Sequence, residues 1–442
     1  MHTQHKRGGF FSRSKEIDSS RRRGRSISRP PAIEPLERRQ LMSAGLVIKP
    51  IFDSTITKNS RAAGIEAAIN TAIHNFESDI ATPITVTIKF EGIASGLAAS
   101  LTSHVQESYS AYVKALAAHA TSAIDKAAVA SLPLTSTNPV NKGANILLSD
   151  ANARALGFAA TPAGGIDSTI GLNLAEFNLT RTSINPGLYD MVASVSHEMD
   201  EMLGIDSTLN FYNSNTALPT TYVAAEDLFR YNLSKGRSYT TSSAVESAFS
   251  YNGGTTLVAR FNQTKGGDFN DWYSPGTQVP QVQDAYGKPG STPNLGTELI
   301  VLDTLGYTLA SGVAGGFKPD LTPAALAGWS GPLVVTSVKG ALTESTTLTS
   351  SQTLYLDAAV KNYGETATAA AEVNTIVLDG KTLYTFTDPA ELAVNNAYYS
   401  VGLSLGKLAA GTHTVTINVD TKNAVGEIIE RNNMLSLTFK VT

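Results

Sequence analysis

One segment constrains the fold more than any other, because it has helical periodicity and carries its own start and stop signals. It reads LYDMVASVSHEMDEMLG over residues 188–204. Asn185 is a suitable N-cap, Pro186 suits the first helical position, and Gly204 can take the left-handed conformation that ends a helix. The sequence therefore predicts a helix between Pro186 and Gly204.

This helix is expected to have an apolar face and a polar face. At about 100° per residue, its large apolar side chains share one stripe: Leu188, Met191, Val192, Val195, Met199, Met202 and Leu203. His197 and Glu201 lie roughly opposite that stripe. Because side chains four residues apart lie one above the other, both can reach one ion at about 2.0–2.2 Å. Glu198 points to one side of the pair.

The pattern His197-Glu198-x-x-Glu201 has the form of a zinc-protease helix in which glutamate replaces the second histidine. In the H-E-x-x-H arrangement, the glutamate after the first histidine takes a proton from water activated by zinc. We therefore expect His197 and Glu201 to be zinc ligands and Glu198 to be the general base. A short motif of this kind also arises by chance on a solvated helix face.

Catalytic zinc normally has three protein ligands and one open position, so a third ligand is needed. We predict Asp227, with Glu226 and Asp206 as alternatives. In a competing interpretation, Glu226 and Asp227 only cap the next helix and pair with Arg230. One histidine with two carboxylates is a harder ligand set than zinc usually has, which leaves room for another divalent ion.

A second kind of metal site is considered in the glycine-rich loops further along. Asp268, Asp271 and Asp284 stand in such loops, and oxygen-rich loops can bind calcium. The alternative, which the sequence favours, is that these aspartates cap turns through their own backbone.

Four further motifs follow the helix in order: E-D-L-F-R-Y at 226–231, G-G-D-F-N-D-W at 266–272, D-A-Y-G at 284–287 and E-L-I-V-L-D-T-L-G-Y at 298–307. Together with the helix, they resemble a family of bacterial secreted zincin-type metalloproteases, over roughly residues 46–310. The resemblance implies zinc binding, peptide hydrolysis and a mixed sheet packed with helices.

The pattern of strands and helices points the same way. An apolar strand at 46–52, a helix near 60–78 and an alternating strand at 84–90 predict a β-α-β start. A long helix is expected over 106–131, with strands at 145–149 and 166–174. We therefore predict an α+β zincin-like catalytic domain over residues 46–312.

After a small-residue hinge at 311–316, the pattern becomes all-β. Strand-like runs lie at 353–356, 375–378, 398–403, 413–419 and 435–441. The motifs P-D-L-T at 319–322, V-K-N-Y-G at 360–364, G-T-H-T-V-T-I-N-V-D at 411–420 and E-I-I-E-R-N-N at 427–433 resemble the CARDB domain, an immunoglobulin-like bacterial module linked to cell adhesion. We expect a separate sandwich over 318–442 that binds a cell-surface or matrix ligand.

The first forty residues differ from the rest. They carry 11 Lys and Arg against 4 Asp and Glu, a charge of +7, so the remainder of a chain of net charge −4 carries −11. P-L-E-R-R-Q-L-M-S-A at 35–44 resembles a signature near the start of exported proteins in one bacterial group. We therefore expect residues 1–45 to be an export leader. We expect no nucleic-acid partner for this basic segment. The sequence has no apolar run of about 18 residues, so no membrane span is predicted.

Several chemistries lack support. The chain has no cysteine to act as nucleophile or ligand. It has no G-x-S-x-G elbow, phosphate-binding glycine loop or dinucleotide fingerprint. The sequence therefore predicts an exported zinc metalloendopeptidase acting on protein or peptide substrates. The alternative is a non-catalytic cell-surface binding protein with a degenerate zincin domain, for which Glu201 in place of histidine is the warning sign.

Overall fold

The computed structural model describes residues 45–211, 222–276, 278–316 and 318–442. The predicted export leader lies outside the described residues, apart from Gly45. The helices are α1 (Ser54–Thr57), α2 (Ala62–Asp79), α3 (Tyr109–His119), α4 (Ala123–Ser131), α5 (Asp150–Ala155), α6 (Met191–Leu203) and α7 (Thr297–Thr304). None of these helices is long and apolar enough to cross a membrane.

The N-terminal part has a mixed sheet, as predicted. Its strands, in chain order, are β1 (Val47–Phe52), β2 (Thr85–Gly92), β3 (Ala98–Thr102), β4 (His104–Ser108), β5 (Asn145–Ser149), β6 (Ser168–Leu172), β7 (Phe177–Asn178), β8 (Tyr189–Asp190), β9 (Arg230–Asn232) and β10 (Ser247–Phe249). The main sheet has the order β1-β2-β6-β3. Strands β1, β2 and β6 are parallel, and β3 runs antiparallel to β6 at the edge.

The predicted β-α-β start is confirmed. Strand β1 pairs with β2 in parallel, and α1 and α2 form the crossover between them. The apolar stripe of α2 is buried, and alternate residues of β2 (Val86, Ile88 and Phe90) are fully buried as well. Helix α2 packs against α6, so this layer supports the helix that carries the His-Glu-x-x-Glu motif.

The single long helix predicted over 106–131 is wrong. Residues 104–108 form β4, which pairs antiparallel with β5, and two helices follow. The second helix has its own start signal, because the Ser122 hydroxyl accepts from the Asp125 amide and the Asp125 carboxylate accepts from the Ser122 amide. This capping box starts a separate second helix, where periodicity alone predicts one continuous helix.

The start of α6 also differs from the prediction. Asn185 stabilises a turn, because its side chain accepts a hydrogen bond from Gly187 N at 2.9 Å. The helix begins five residues later than Pro186, where the Asp190 carboxylate accepts from Ala193 N at 3.0 Å. Leu188 therefore lies before the helix, while the rest of the predicted apolar stripe is buried. Gly204 ends the helix at φ +118°, as predicted.

A pair of carboxyl groups joins α4 to α7 and gives stability a pH dependence. Burial and the neighbouring Asp125 raise the pKa of Asp303 from 3.8 to about 7, and Ser122 Oγ donates to its Oδ2 at 2.8 Å. The folded state therefore holds a proton on Asp303 that the unfolded chain releases near pH 4. This contribution to stability is complete below pH 4 and is lost as the pH rises through about 7.

We predict that Asp303→Asn removes this pH dependence. The melting temperature of the variant relative to the wild type should be higher at pH 8 than at pH 5. The change should be at least about 3 °C, because 1 kcal/mol moves the melting temperature of such domains by roughly 2–4 °C. Calorimetry at the two pH values measures this, with the exposed Glu344→Gln as the control. An equal difference at both pH values would contradict the assignment.

The C-terminal part is an all-β sandwich with its own core. Its strands are β11 (Leu321–Pro323), β12 (Leu333–Thr336), β13 (Leu354–Asn362), β14 (Glu372–Leu378), β15 (Lys381–Asp388), β16 (Ala397–Gly406), β17 (Gly411–Asn418) and β18 (Met434–Val441). In one sheet, β13 pairs with β11, β12 and β16, and the other sheet has the order β15-β14-β17-β18. All five strands predicted in this part are present, with longer bounds.

The segment between the two parts is not the free hinge that its composition predicted. Ala314 N donates to Ile428 O at 2.9 Å, and Glu430 N donates to Gly312 O at 2.8 Å. Ile428 belongs to the N-terminal hydrophobic core, and the Arg431 guanidinium pairs with Asp79 at the end of α2. The described residues from Gly45 to Thr442 therefore belong to one compact unit with two cores.

Candidate functional site

His197 is fixed in orientation by the loop that faces α6. Its Nδ1 lies 3.0 Å from the carbonyl oxygen of Val282, so this nitrogen is the donor, and in the neutral imidazole Nε2 is left as an acceptor. Nε2 lies 3.9 Å from Glu201 Oε1 and 3.5 Å from Asp271 Oδ1. The i,i+4 spacing on α6 thus brings His197 and Glu201 together as predicted, and a third group joins them.

The three ligand-type atoms of His197, Glu201 and Asp271 all lie within 4.8 Å of one another, and they form the only such group of His, Asp and Glu among the described residues. Tetrahedral bonds of about 2.0–2.2 Å place two ligand atoms about 3.4 Å apart. The observed separations of 3.5 Å and 3.9 Å are close to this value. One nitrogen and two carboxylate oxygens can therefore hold a divalent cation here.

Each carboxylate of the group is held by a neighbouring side chain. Ser100 Oγ on the edge strand β3 donates to Glu201 Oε2 at 2.6 Å. Asn270 Nδ2 lies 3.1 Å from both Glu201 Oε1 and Asp271 Oδ1. Gln283 Nε2 donates to Asp271 Oδ1 at 3.1 Å. Such outer hydrogen bonds orient metal ligands, and these leave the three atoms facing one another.

The site places three carboxyl groups beside one imidazole. Burial alone would lower the pKa of His197, but the carboxylates of Asp271, Glu198 and Glu201 outweigh it and raise that pKa to about 10. Burial raises the pKa of Asp271 well above its usual range, and His197 opposes this. A buried cation would favour the ionised form of every carboxylate in the group.

Glu198 lies beside the group without belonging to it. Its side chain is buried and lines the same cleft as His197 and Glu201. Burial, followed by the charge of Glu201, raises its pKa well above the usual range. A carboxyl group with a raised pKa at the edge of a cation site is suited to accept and return a proton.

The group opens into a cleft of about 410 Å³. One wall contains Ala98, Ala99 and Ser100 of the edge strand β3 and the preceding Leu97. Residues of α6 and of the segments 266–271 and 280–293 also line the cleft. Because β3 is an edge strand, the cleft is bounded by backbone groups that can pair with an extended chain.

Asp227, which the sequence predicted as the third ligand, is not brought to His197 and Glu201. Its Oδ1 accepts from Ser207 Oγ at 2.5 Å, and its Oδ2 accepts from Ala224 N and from both the amide and hydroxyl of Thr208. The carboxylate is thus committed to holding the residues around a 3₁₀ turn at Glu226–Phe229. Asp271 takes the position expected for Asp227.

The two alternatives for that position also lie elsewhere. Asp206 Oδ2 lies 2.8 Å from His104 Nε2 in a partly buried ion pair. Glu226 is fully buried, and neither of its carboxylate oxygens has a hydrogen-bond partner among the described residues. Burial and Asp227 raise its pKa well above the usual range, against the effect of Arg230.

The three aspartates considered for calcium are not gathered into one group. Asp271 belongs with His197 and Glu201. Asp284 accepts from Gln281 N at 3.0 Å, so it stabilises a turn, as the alternative interpretation held. Asp268 lines the cleft, and burial raises its pKa.

The longer motifs hold the site in place. Arg230 of D-L-F-R-Y donates to the Phe269 carbonyl at 2.6 Å and lies 4.0 Å over the Phe261 ring. Tyr307 of L-D-T-L-G-Y donates to the carbonyl of Leu203 at 2.8 Å, at the end of α6. The motifs contain residues that the sequence did not single out, above all Asn270 between Glu201 and Asp271. Its place directly before Asp271 was the feature of the sequence that could have identified Asn270 as a site residue.

Comparisons with known proteins concern the C-terminal part. Residues 332–437 match the CARDB family model. A CARDB domain from Pyrococcus furiosus, described as a complex with di-metal ions, is 16% identical with a TM-score of 0.22, and the match covers 29% of this chain and 97% of that chain. A domain from Methanosarcina acetivorans, whose name provisionally assigns it to a cell surface protein, is 23% identical with a TM-score of 0.22, and the match covers 28% and 93%. No curated protein matches the chain. The chain therefore carries a C-terminal CARDB domain after a mixed α/β region.

Proposed function

We propose that this chain is an exported zinc-dependent metalloendopeptidase. One observation carries the proposal: His197, Glu201 and Asp271 converge within 4.8 Å, with Glu198 beside them, in an open cleft. The motif alone supplied two ligands, and catalytic zinc normally takes three from the protein. The third ligand, Asp271, comes from the G-G-D-F-N-D-W motif, which the resemblance to secreted zincin-type metalloproteases had already singled out.

The residues divide the chemistry among them. His197, Glu201 and Asp271 would hold a zinc ion, which would supply Lewis acidity toward water and a substrate carbonyl group. The Glu198 carboxylate takes a proton from the attacking water and returns it to the leaving amine. Asn270 and Gln283 keep the ligand carboxylates in place, so little reorganisation is needed during the reaction.

The cellular location of the enzyme is inferred from its leader motif and its CARDB domain. The leader motif at 35–44 resembles that of exported proteins, and the CARDB family at the C-terminal end is linked to cell adhesion. We therefore place the protein outside the cell or at its surface, with protein or peptide substrates in the cleft. The sandwich would contact a cell-surface or matrix ligand.

Hydrolysis of casein by the purified full chain tests the function. We expect activity that a chelator abolishes and that added zinc restores. A chain that binds zinc in stoichiometric amount without hydrolysing casein or a peptide library would favour the alternative of a non-catalytic surface protein. Restoration by calcium or manganese instead of zinc would show that the harder ligand set selects another ion.

Asn270 provides a test of how the carboxylates are held. We predict that Asn270→Ala weakens zinc binding about 10–100-fold, the usual cost of removing an outer partner of metal ligands. Zinc affinity is measured by competition with a chromophoric chelator. Asn262→Ala is the matched control, because Asn262 is equally buried near the same motif but bonds to the carbonyls of Thr264 and Asp268. Equal losses in the two variants would contradict the prediction.

A further inference from the structure

We propose that Glu365, in the C-terminal sandwich, is a positioning residue for the site in the N-terminal part. It holds the start of α7 and, through α7, the loop 278–295 that orients His197 and Asp271. The predicted effects on zinc binding and turnover rest on the proposed function. The structural coupling between Glu365 and the loop 278–295 does not. The sandwich then serves as a structural part of the site as well as a surface-binding module.

The first step is the contact between Glu365 and α7. Glu365 Oε2 accepts a hydrogen bond from Thr297 Oγ1 at 2.9 Å, and Oε1 accepts from Thr297 N at 3.3 Å. The side chain is buried. Thr297 is the first residue of α7, where backbone amides have no partner within the helix. The N-cap residue of α7, Gly296, has no side chain to cap the helix, and a residue of the sandwich supplies a capping group instead.

Gly296 shows how closely the two parts fit. A Cβ atom at this position would lie 2.4 Å from Glu365 Oε1, so no larger residue is compatible with the observed contact. Gly316 N, in the segment between the two parts, donates to Gly296 O at 3.0 Å. Two residues that follow α7 in the chain, Gly316 and Glu365, therefore contact the start of this helix.

The second step leads from α7 to the site through Glu298. Its Oε1 accepts from Trp272 Nε1 and from Gln283 N, each at 3.0 Å. Trp272 follows Asp271 directly, and Gln283 follows Val282. Trp272 N also donates to Gln283 O at 2.7 Å, which keeps the two segments side by side. A shift of the α7 start would thus move both segments together.

These two segments hold the candidate ligands. The carbonyl oxygen of Val282 accepts from His197 Nδ1 at 3.0 Å, and Gln283 Nε2 donates to Asp271 Oδ1 at 3.1 Å. The path from Glu365 to the His197 imidazole therefore consists of α7 and one loop. Each connection along it is a hydrogen bond between buried or half-buried groups.

The loop itself lies between the cleft and the sandwich. Pro280, Ser291 and Pro293 line the large cleft, and the same residues line a small cavity whose other side includes Tyr363 and Glu365. One wall of the cleft is therefore backed by the sandwich. Removing that backing would allow the wall to move away from α6.

The sandwich presents Glu365 on a turn with little freedom. Tyr363 N donates to Asp320 O at 2.7 Å, and Glu365 N donates to Lys318 O at 2.8 Å. A Cβ atom on Gly364 would lie within about 2.5 Å of the backbone at Pro319 and Asp320, so only glycine fits there. The carboxyl group is thus delivered at a fixed position.

The test compares Glu365→Ala with Glu365→Gln in the full chain. Burial and the charge of Glu298 raise the pKa of Glu365, so an amide is a close substitute for its carboxyl group. We expect Glu365→Ala to weaken zinc binding about tenfold, at the lower end for an outer partner. Turnover of casein should fall more than KM changes. Glu365→Gln should restore most of both values.

Arg431→Gln is the matched control, because it removes another side-chain contact between the two parts, the ion pair with Asp79. Neither Arg431 nor Asp79 lines the cleft. If Glu365 only joined the two parts, both variants would lower the melting temperature and affect zinc alike. We expect Arg431→Gln to lower the melting temperature and leave zinc affinity within about twofold of the wild type.

Hydrogen exchange of the metal-free protein provides a readout that does not depend on zinc. Glu365→Ala should exchange faster than the wild type in peptides from residues 278–295, and Arg431→Gln should not. Unchanged exchange in that loop, or unchanged zinc affinity in Glu365→Ala, would overturn the inference. If the wild type binds no zinc, the proposed function fails, and the exchange result still decides the coupling.

Discussion

Replacing Glu198 with glutamine should abolish hydrolysis while leaving the metal in place. The amide cannot accept the proton of the attacking water, so turnover should fall by about 10² or more, the usual order for a lost proton-transfer group. The Glu198 carboxylate is not one of the three converging atoms, so zinc stoichiometry should remain one per chain. The variant should fold normally, because burial already favours the neutral form of Glu198 and an amide is neutral as well.

Casein hydrolysis and zinc content, measured on the same preparation, test this prediction. Glu344→Gln is the control, because Glu344 is exposed on the sandwich and the same change of group should leave both values unchanged. Unaltered turnover in Glu198→Gln would exclude Glu198 as the base. Loss of zinc together with activity would instead make Glu198 a ligand.

Asp271→Asn should weaken zinc binding by more than 100-fold, because it removes a ligand and exceeds the 10–100-fold cost of losing an outer partner. Asp227→Asn should have a different effect. An amide oxygen cannot accept all the bonds that the Asp227 carboxylate accepts from Ser207, Thr208 and Ala224. We expect Asp227→Asn to lower the free energy of unfolding by about 1–3 kcal/mol and to keep zinc affinity.

The two aspartates thus form a matched pair for chelator competition and denaturant unfolding. Each variant replaces a buried carboxylate with an amide. Asp271→Asn is expected to lose zinc affinity, and Asp227→Asn is expected to lose stability. Zinc loss in Asp227→Asn with normal binding in Asp271→Asn would reverse the assignment and restore the original prediction from the sequence.

Local patterns predicted much of the fold. The stripe on α6, the β-α-β start and the five sandwich strands depend on the period of apolar residues within about ten positions. The errors arose where one hydrogen bond decided between two local structures. Asp190 competes with Asn185 as the cap of α6, and the Ser122–Asp125 capping box divides a helical run. Periodicity alone does not show which cap is used.

Two residues of the candidate metal site were predictable and the third was not. His197 and Glu201 share a helix, so their spacing fixes their relative position. Asp271 and Asp227 both lie in irregular segments after α6, and only tertiary pairing decides which reaches the helix. Trp272 pairs with the chain at Gln283 and brings Asp271 to the site, while Asp227 is held by Thr208.

The contacts of the sandwich with the N-terminal part were not predicted, for a related reason. Small residues at 311–316 are typical of a linker, and composition does not show what such a segment contacts. In the structure, Ala314 and Gly312 pair with Ile428 and Glu430, because small residues allow two backbones to approach closely. The glycines at 296 and 364 have the same role at the contact of Glu365.

X-ray diffraction from crystals of the full chain, recorded just above and just below the zinc absorption edge, tests the central claim most directly. We predict one strong anomalous difference peak per chain that disappears below the edge. It should lie about 2.0–2.2 Å from His197 Nε2 and from one carboxylate oxygen each of Glu201 and Asp271. A zinc-loaded crystal with no peak at these three residues, or with its peak at Asp227 or Glu226, would contradict the account.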